Sequence, residues 1–254
     1  MAAGKFPLKG FRMIRIFEKS FDIEVSHCDC FGRLKASELF KFMQECAMVH
    51  AEHMGVGMEK MHSLNRTFVL ARMKINIASM PSIGDSMKIK TYPFGIERLF
   101  YIREFEISIN GIKSAEARSI WLVIDLASRR PVRDRDFGKN FPKVTNENVN
   151  MDNPDKPVVA KDAPLIMERT VGYSDVDILG HANNSCYVAW ACDCIGSGFF
   201  SDNLPFSITI NYSSELKETE CVKIIGEDMT FCGINESGGE AFSAKVERTG
   251  NVQN

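Results

Sequence analysis

A short stretch in the second half of the chain combines an acid, a glycine, an imidazole and two amides. Asp177 precedes Gly180 and His181, and Asn183 and Asn184 follow immediately before an apolar stretch of helical character. The first turn of a helix exposes backbone N–H groups and carries the positive end of the helix dipole, which can stabilise a developing oxyanion. A carboxylate and an imidazole at such a place are groups that suit the hydrolysis of an activated acyl group.

Length and composition restrict the class of protein. The 254 residues can form one large domain or two of ordinary size, and 44% hydrophobic with 25% charged residues is typical of soluble globular proteins. A net charge of -2 gives no indication of nucleic-acid binding, and the apolar runs are shorter than the roughly 18 residues of a membrane span. Residues 1–21 lack the continuous apolar core of a secretory signal. They also do not resemble a Ser-rich plastid leader, although a mature form could have lost one. We therefore expect a cytoplasmic protein with no membrane span and no nucleic-acid partner.

The eight cysteines could suggest either metal binding or free thiols. Two Cys-x-Cys pairs are present, but tetrahedral zinc sites usually have two residues between paired cysteines and four converging ligands. We expect free, mostly buried thiols in a reducing compartment, with no bound metal. The spacing His50-x-x-His53 has no evident acidic or cysteine partner in the sequence, so it adds no metal site.

The active-site stretch has a weaker copy earlier in the chain. Asp29 and Gly32 match Asp177 and Gly180 without a gap, at an offset of 148 positions (177 − 29), and Arg33 takes the place of the imidazole. A probable strand precedes each copy, over 21–26 and 167–173, and an apolar helix follows. The repeated motif and its surrounding elements indicate two related units. Because the first copy lacks the imidazole, we expect one working site, built on the second motif.

The order of elements is the same around both copies. Apolar residues recur at three- and four-residue steps in the first helix, which the pattern ends near Gly55. Strand-like runs follow each helix, with turns at Pro81 and Gly84 and at Asn110-Gly111. Further strands are predicted over 67–77, 87–92, 100–109, 115–125, 206–216, 221–227, 229–232 and 241–246.

Strand, turn, long helix and antiparallel meander is the order of the hotdog fold. The sequence therefore predicts an α+β protein with a tandem, or double, hotdog, in which each half is an antiparallel sheet wrapped around a central helix. We place the first hotdog at residues 1–135 and the second at 166–254. Residues 136–165 are predicted to form an ordered but irregular linker over the surface.

The motif Asp-x-x-Gly-His-x-Asn-Asn, with Tyr187 and Trp190 after it, resembles the active-site segment of the acyl-acyl-carrier-protein (acyl-ACP) thioesterase family of plants and bacteria. Residues 69–72 and 119–123 resemble strands of the first hotdog in the same family, and 211–216 is similar to the stretch that carries its glutamate. The resemblance implies catalytic roles for Asp177, His181 and Glu215. It also implies an acyl carrier protein as partner, a fatty acyl thioester as substrate and no cofactor beyond the substrate's own phosphopantetheine.

Two positions depart from the plant-type pattern. Leu179 stands where those enzymes have Asn, and Leu216 stands where they have Cys. A leucine side chain can neither orient water nor act as a nucleophile. The resemblance therefore supports acid–base hydrolysis in this chain and not a cysteine nucleophile at position 216.

Two schemes fit these residues. In the preferred one Glu215 activates water, His181 positions that water or shuttles its proton, Asp177 orients the imidazole, and the backbone N–H groups near Gly180 and His181 hold the oxyanion. In the alternative Asp177 is the nucleophile. Asp177 and Glu215 each also have a purely structural interpretation, Asp177 as a turn cap and Glu215 as a solvent-exposed charge. Asn183 and Asn184 are predicted either to contact the substrate or to cap the helix.

In the resembled family the first half shapes the acyl pocket, and the first helix offers candidates to line it. Phe40 and Met43 are the substrate-binding residues we predict there, together with Phe42, Met48, Met54 and Met58 as further candidates. A basic run could contact an acidic carrier protein, although its interleaved acids favour a solvated linker equally. It comprises Arg129, Arg130, Arg133, Arg135 and Lys139.

The predicted activity is hydrolysis of fatty acyl-ACP to free fatty acid in the bacterial cytoplasm. Three alternatives stay open at this point: an acyl-CoA thioesterase, a hotdog dehydratase acting on 3-hydroxyacyl groups, and a non-catalytic acyl-binding module. A double hotdog could be a monomer, or a homodimer formed through sheet edges.

Overall fold

The computed structural model describes residues 15–132, 141, 143–144 and 149–250. Within this part, apolar side chains cover the core-facing side of ten strands, many of which alternate buried and exposed positions. The strands are β1 Phe17–Asp22, β2 Arg66–Ile77, β3 Ser86–Glu97, β4 Phe100–Ile109, β5 Ile112–Asp125, β6 Leu165–Thr170, β7 Phe206–Tyr212, β8 Cys221–Glu227, β9 Thr230–Asn235 and β10 Glu240–Arg248.

These strands form one antiparallel sheet in the order β1-β3-β4-β5-β2-β7-β10-β9-β8-β6. β2 and β7 pair at its centre, with Arg72 opposite Asn211. Outward from this pairing, the order β2-β5-β4-β3-β1 on one side matches β7-β10-β9-β8-β6 on the other. The double hotdog predicted from the sequence is confirmed, and its two sheets are joined into one.

Each half wraps its strands around one main helix. α1, Ala36–His53, buries a stripe that includes Leu39, Met43 and Cys46, as the three- and four-residue spacing predicts. The shorter α3, Asn184–Ile195, is the main helix of the second half. α1 and α3 pack against each other, and a short α2, Met58–Ser63, packs on β2.

The sequence repeat is a structural repeat. β6 begins 148 positions after β1 (165 − 17), and α3 begins 148 positions after α1 (184 − 36). The turn before each helix is closed by one isolated antiparallel bridge, Cys28 with Leu34 and Val176 with Ala182. A glycine in the left-handed region completes each turn: Gly32 at φ 73° and Gly180 at φ 79°.

The described part of the linker crosses the outer face of the sheet. The Val144 N–H donates to the Pro93 carbonyl at 2.9 Å, and Arg72 donates to the Pro154 carbonyl at 2.7 Å. Lys156 forms an ion pair with Glu240 on β10 at 2.9 Å. The linker therefore contacts the strands of both halves.

Several strand boundaries differ from the prediction; for example, the strands predicted over 87–92 and 206–216 are β3 Ser86–Glu97 and β7 Phe206–Tyr212. Strands were predicted over 21–26 and 167–173, whereas β1 ends at Asp22, β6 ends at Thr170, and single 3-10 turns follow at Val25–His27 and Tyr173–Asp175. Within the described part of the chain, no helix is long and apolar enough to cross a bilayer. Part of the predicted linker (136–140, 142 and 145–148) lies outside the described residues, as do three residues of the predicted basic run, Arg133, Arg135 and Lys139.

Candidate active site

A tight turn before α3 holds the predicted acid. The Asp177 carbonyl accepts the Gly180 N–H at 3.0 Å, and the Asp177 Oδ1 accepts the Leu179 N–H at 2.8 Å. The Asp177 N–H donates to the carbonyl of His181 at 2.9 Å, which closes the turn. Asp177 therefore organises the backbone that carries His181, in addition to any role in the reaction.

Asn183 connects this turn to the start of α3. It is the N-cap residue, and its Oδ1 accepts the Ser185 N–H at 3.0 Å. Its Nδ2 donates to the second oxygen of Asp177, Oδ2, over a long 3.4 Å. Both oxygens of Asp177 thus have a donor, and Asn183 contributes to the site through Asp177 and the helix start.

Glu215 reaches the turn from the segment after β7. The Ser213 and Ser214 N–H groups both donate to the Ala241 carbonyl, at 2.9 and 3.1 Å. Leu216 is fully buried, and its carbonyl accepts the Ala182 N–H at 2.8 Å. These contacts hold Glu215 beside His181, with 3.3 Å between Glu215 Oε2 and His181 Nε2.

Arg129, from the first half, contacts the same carboxylate oxygen. Its guanidinium forms an ion pair with Glu215 Oε2. Asp125 organises the turn that carries Arg129, because it accepts the Ser128 N–H at 2.8 Å and the Asn65 amide at 2.9 Å. These hydrogen bonds, that from the Ser128 N–H foremost, lower the pKa of Asp125.

The role of Arg129 was not predicted. Sequence reasoning included it only in a basic run for a carrier protein. Arg129 and Glu215 are 86 positions apart, and spacing along the chain carries no signal for such a contact.

Four of the predicted site residues line a cavity of about 810 Å³ between the two halves. Asp177, His181, Asn184 and Glu215 line it from the second half, as does Leu179. The first half supplies a wall from the C-terminal part of α1, from α2 and from β2, β4 and β5. This wall includes Met48, Met54, Met58, Phe68, Leu70, Tyr101, Trp121 and Leu122.

Phe40 and Met43 lie elsewhere, in the hydrophobic core, with 4% and 0% of their surface exposed. Neither is among the described residues that line the cavity. Helical spacing predicted the inward stripe of α1, but the cavity is at the C-terminal part of that helix. Both residues therefore stabilise the fold rather than form the cavity wall.

The turn geometry leaves only one of the two backbone N–H groups that were predicted to bind the oxyanion. The Gly180 N–H already donates within the turn, so it is not free to bind an oxyanion. In the first half, the Arg33 N–H donates to Asp29 Oδ1 at 3.0 Å. Its counterpart, the His181 N–H, forms no hydrogen bond within the described part of the chain. The His181 N–H is the remaining candidate donor.

Cysteine and tyrosine side chains near the site are held neutral by burial. Burial raises the pKa of Cys186 to about 11, and no cysteine is among the described residues that line the cavity. Burial also raises the pKa of Tyr187 and Tyr212, and the Tyr212 hydroxyl donates to the Asn184 carbonyl at 3.1 Å. Near neutral pH these groups are therefore not ionised, and they can only donate hydrogen bonds or pack against their neighbours.

The equivalent turn in the first half is covered by the segment after α3 and lacks the imidazole and the second carboxylate. The Arg33 guanidinium donates to the Phe200 carbonyl at 2.6 Å. The Leu34 N–H donates to the Pro81 carbonyl, which matches the contact made by Leu216, so Met80 occupies the position of Glu215. The first copy keeps the acid, Asp29, but has Arg33 in place of the imidazole and Met80 in place of the Glu215 carboxylate, so the described residues contain one such site.

The fold and the site together define a double-hotdog protein with an acid–base pair at the mouth of a largely apolar cavity. The chain belongs to the acyl-ACP thioesterase family. The family's N-terminal domain matches residues 15–136, and its C-terminal domain matches residues 159–252.

Relatives and solved structures agree with this assignment. A chloroplastic palmitoyl-acyl carrier protein thioesterase of Arabidopsis thaliana is 22% identical over 79% of this chain and 52% of its own length. The chain thus spans about half of that plant relative. An acyl-ACP thioesterase structure from Bacteroides thetaiotaomicron superposes with a TM-score of 0.84 at 23% identity, covering 92% of this chain and 98% of the other. The 12:0-ACP thioesterase of Umbellularia californica gives a TM-score of 0.73 at 18% identity, covering 92% and 93%. At these identities the structures show a shared fold.

Proposed function

We propose that this protein hydrolyses the thioester of fatty acyl-ACP and releases a free fatty acid and the carrier thiol. The observation that carries the proposal is the pair His181 Nε2 and Glu215 Oε2, 3.3 Å apart, at a cavity of about 810 Å³ with mostly apolar walls. An apolar cavity accommodates an acyl chain, and the paired base and imidazole can activate water at its mouth.

In the proposed reaction Glu215 takes a proton from water while the water oxygen attacks the thioester carbonyl carbon. The carbonyl π electrons move to oxygen, and the backbone N–H of His181 stabilises the resulting anion. When the tetrahedral intermediate collapses, the C–S bond breaks and the proton passes to the thiolate. His181 contacts Glu215 and positions the water. All of these steps use groups of the protein itself, so the proposed reaction includes no cofactor.

Asp177 is assigned an orienting role and not that of nucleophile. Its Oδ1 accepts the Leu179 N–H and its Oδ2 faces the Asn183 amide. Donors on both oxygens hold Asp177 in the turn and reduce the electron density available for attack. The contacts of Glu215 with Arg129 and His181 are both made by Oε2, so within the described residues Oε1 has no partner and can take a proton from water. The nucleophilic scheme remains the alternative.

The carrier is assigned from the family and from the relatives. The plant relative is named for a palmitoyl carrier-protein substrate and the Umbellularia enzyme for a 12:0 one. Acyl-CoA presents the same thioester chemistry, so it is the second candidate. We further propose a cytoplasmic bacterial protein. It is a monomer or a homodimer, since β1 and β6 form the two edges of the sheet.

The test is free-thiol release from matched acyl-ACP and acyl-CoA thioesters of several chain lengths, with wild type and His181→Ala. Release that favours the carrier-protein substrates and is lost in the variant is the expected result. Equal or better release from CoA substrates would transfer the assignment to acyl-CoA. Binding of acyl chains without release from either carrier would make the protein a binding module.

A further inference from the structure

A buried arginine lies on the wall of the acyl cavity. Arg103, on β4, has only 7% of its surface exposed and is among the residues that line the cavity. Its Nη1 lies 2.9 Å from His50 Nδ1, on α1, and donates to Thr91 Oγ1 at 3.1 Å. Within the described residues it forms no ion pair with a carboxylate.

A second buried arginine in this sheet has its charge balanced by a carboxylate, as is usual for buried charges. Arg118 is 8% exposed, and its guanidinium is paired with the fully buried Glu104. A buried charge without such a partner is unfavourable and is uncommon outside functional sites. Burial lowers the pKa of Arg103 to about 10, so the guanidinium is still protonated at neutral pH. A positive charge therefore lies at the wall of a cavity whose other walls are mainly apolar.

Arg103 is distant from the reacting groups. β4, β5, β2 and β7 are successive neighbours in the sheet, so three inter-strand spacings, roughly 14 Å, separate β4 from the strand that leads to Glu215. An extended chain advances roughly 1.2 Å per bond, so this separation corresponds to about twelve bonds. An acyl chain held with its thioester at His181 would meet Arg103 with its distal part.

We propose that Arg103 is a specificity-determining residue that binds an oxygen substituent, a hydroxyl or an oxo group, on the distal part of the acyl chain. The inference rests on the proposed thioesterase function and names its preferred substrate class, oxygen-bearing fatty acyl chains. Nη1 of Arg103 already contacts Thr91 and His50. A methylene chain would desolvate the other N–H groups of the guanidinium and offer them no further acceptor, whereas an oxygen atom supplies one.

The first experiment compares two carrier-protein thioesters of equal length, one plain and one with a single hydroxyl about twelve bonds from the carbonyl. We expect wild type to hydrolyse the hydroxylated thioester with a kcat/KM at least about tenfold higher. Arg103→Met should bring the ratio close to one, and Arg103→Lys should retain part of the preference. Arg169→Met, which removes a half-exposed arginine on β6 that does not line the cavity, is the matched control and should keep the wild-type ratio.

The second experiment separates this inference from the proposed function. The plain and hydroxylated free fatty acids compete with a fluorescent fatty acid for the cavity, which requires no hydrolysis. Absence of hydrolysis would refute the thioesterase function and still leave the binding ratio to test Arg103. A wild-type ratio near one in both experiments, or an unchanged ratio in a folded Arg103→Met, would refute the inference. If the methionine variant does not fold, the wild-type ratio and the lysine variant still decide.

Discussion

Replacing Glu215 by Gln separates catalysis from stability at this site. The change keeps the shape of the side chain and removes the proposed base. A positioned general base contributes about 10²- to 10⁴-fold, which is about 2.7–5.4 kcal/mol at 1.36 kcal/mol per tenfold. The side chains of Glu215 and Arg129 are 39% and 52% exposed, so loss of their ion pair costs at most about 1 kcal/mol of folding free energy. We therefore expect kcat to fall at least a hundredfold while Tm falls by no more than about 4 °C.

The assay is steady-state thiol release together with thermal unfolding of the same preparations. Glu218→Gln makes the same chemical change at an exposed position of the same segment and should leave both quantities unchanged. Asp177→Asn retains an oxygen that can accept the Leu179 N–H, so the orienting role predicts a smaller loss of kcat than Glu215→Gln causes. A kcat within about threefold of wild type for Glu215→Gln would refute the base assignment. Complete loss in a folded Asp177→Asn, with Glu215→Gln active, would establish the nucleophilic scheme.

Three further predictions concern the scaffold around the site. Asn183→Ala removes the N-cap of α3 and should cost about 1 kcal/mol, a Tm decrease of about 2–4 °C, whereas Lys35→Ala at the uncapped start of α1 should cost nothing measurable. Gly226→Ala should destabilise by about 1–3 kcal/mol in denaturant titration, because the new Cβ would lie 2.3 Å from the Thr230 carbonyl oxygen, and a wild-type midpoint would contradict this geometry. Because burial raises the pKa of Cys186 to about 11, fewer than about one thiol in a thousand is ionised at pH 7.5. Alkylation followed by mass spectrometry should find it unmodified until the protein unfolds, and rapid labelling of native protein would contradict that burial.

The repeat could be predicted from the sequence because local chemistry determines it. The pattern of an acid and a glycine three residues later produces the same hydrogen-bonded turn at Asp29 and at Asp177, and the same bridge closes each one. The strand boundaries were less predictable. Val25 and Tyr173 have high strand propensity, yet they are 73% and 87% exposed and lie in 3-10 turns. Propensity alone assigned them to strands, although they have no core to pack against.

The part of the site that depends on the tertiary fold could not be predicted. Helical spacing identifies Phe40 and Met43 as inward-facing, but it does not say whether a neighbouring element or a cavity faces them. Arg129 was visible only as one of several basic residues, because its contact with Glu215 is produced by the pairing of β2 with β7. The same limit applies to Arg103. Its strand sequence mixes polar and apolar residues as many strands do, and nothing in it indicates that the arginine is buried.

The asymmetry between the two copies follows from how a double hotdog is built. Each helix start faces the opposite half, so His181 opens on a cavity walled by α1, α2 and the first-half strands. Arg33 instead meets the Phe200 carbonyl in the segment that follows the shorter α3. Closing one interface in this way frees the first half to specialise as the wall of the other. Residues that select the acyl chain should therefore lie mainly before position 132, and residues that break the thioester mainly after 170. Exchange of cavity-wall residues such as Leu122 should then alter chain preference through KM without removing His181 or Glu215 from their contact.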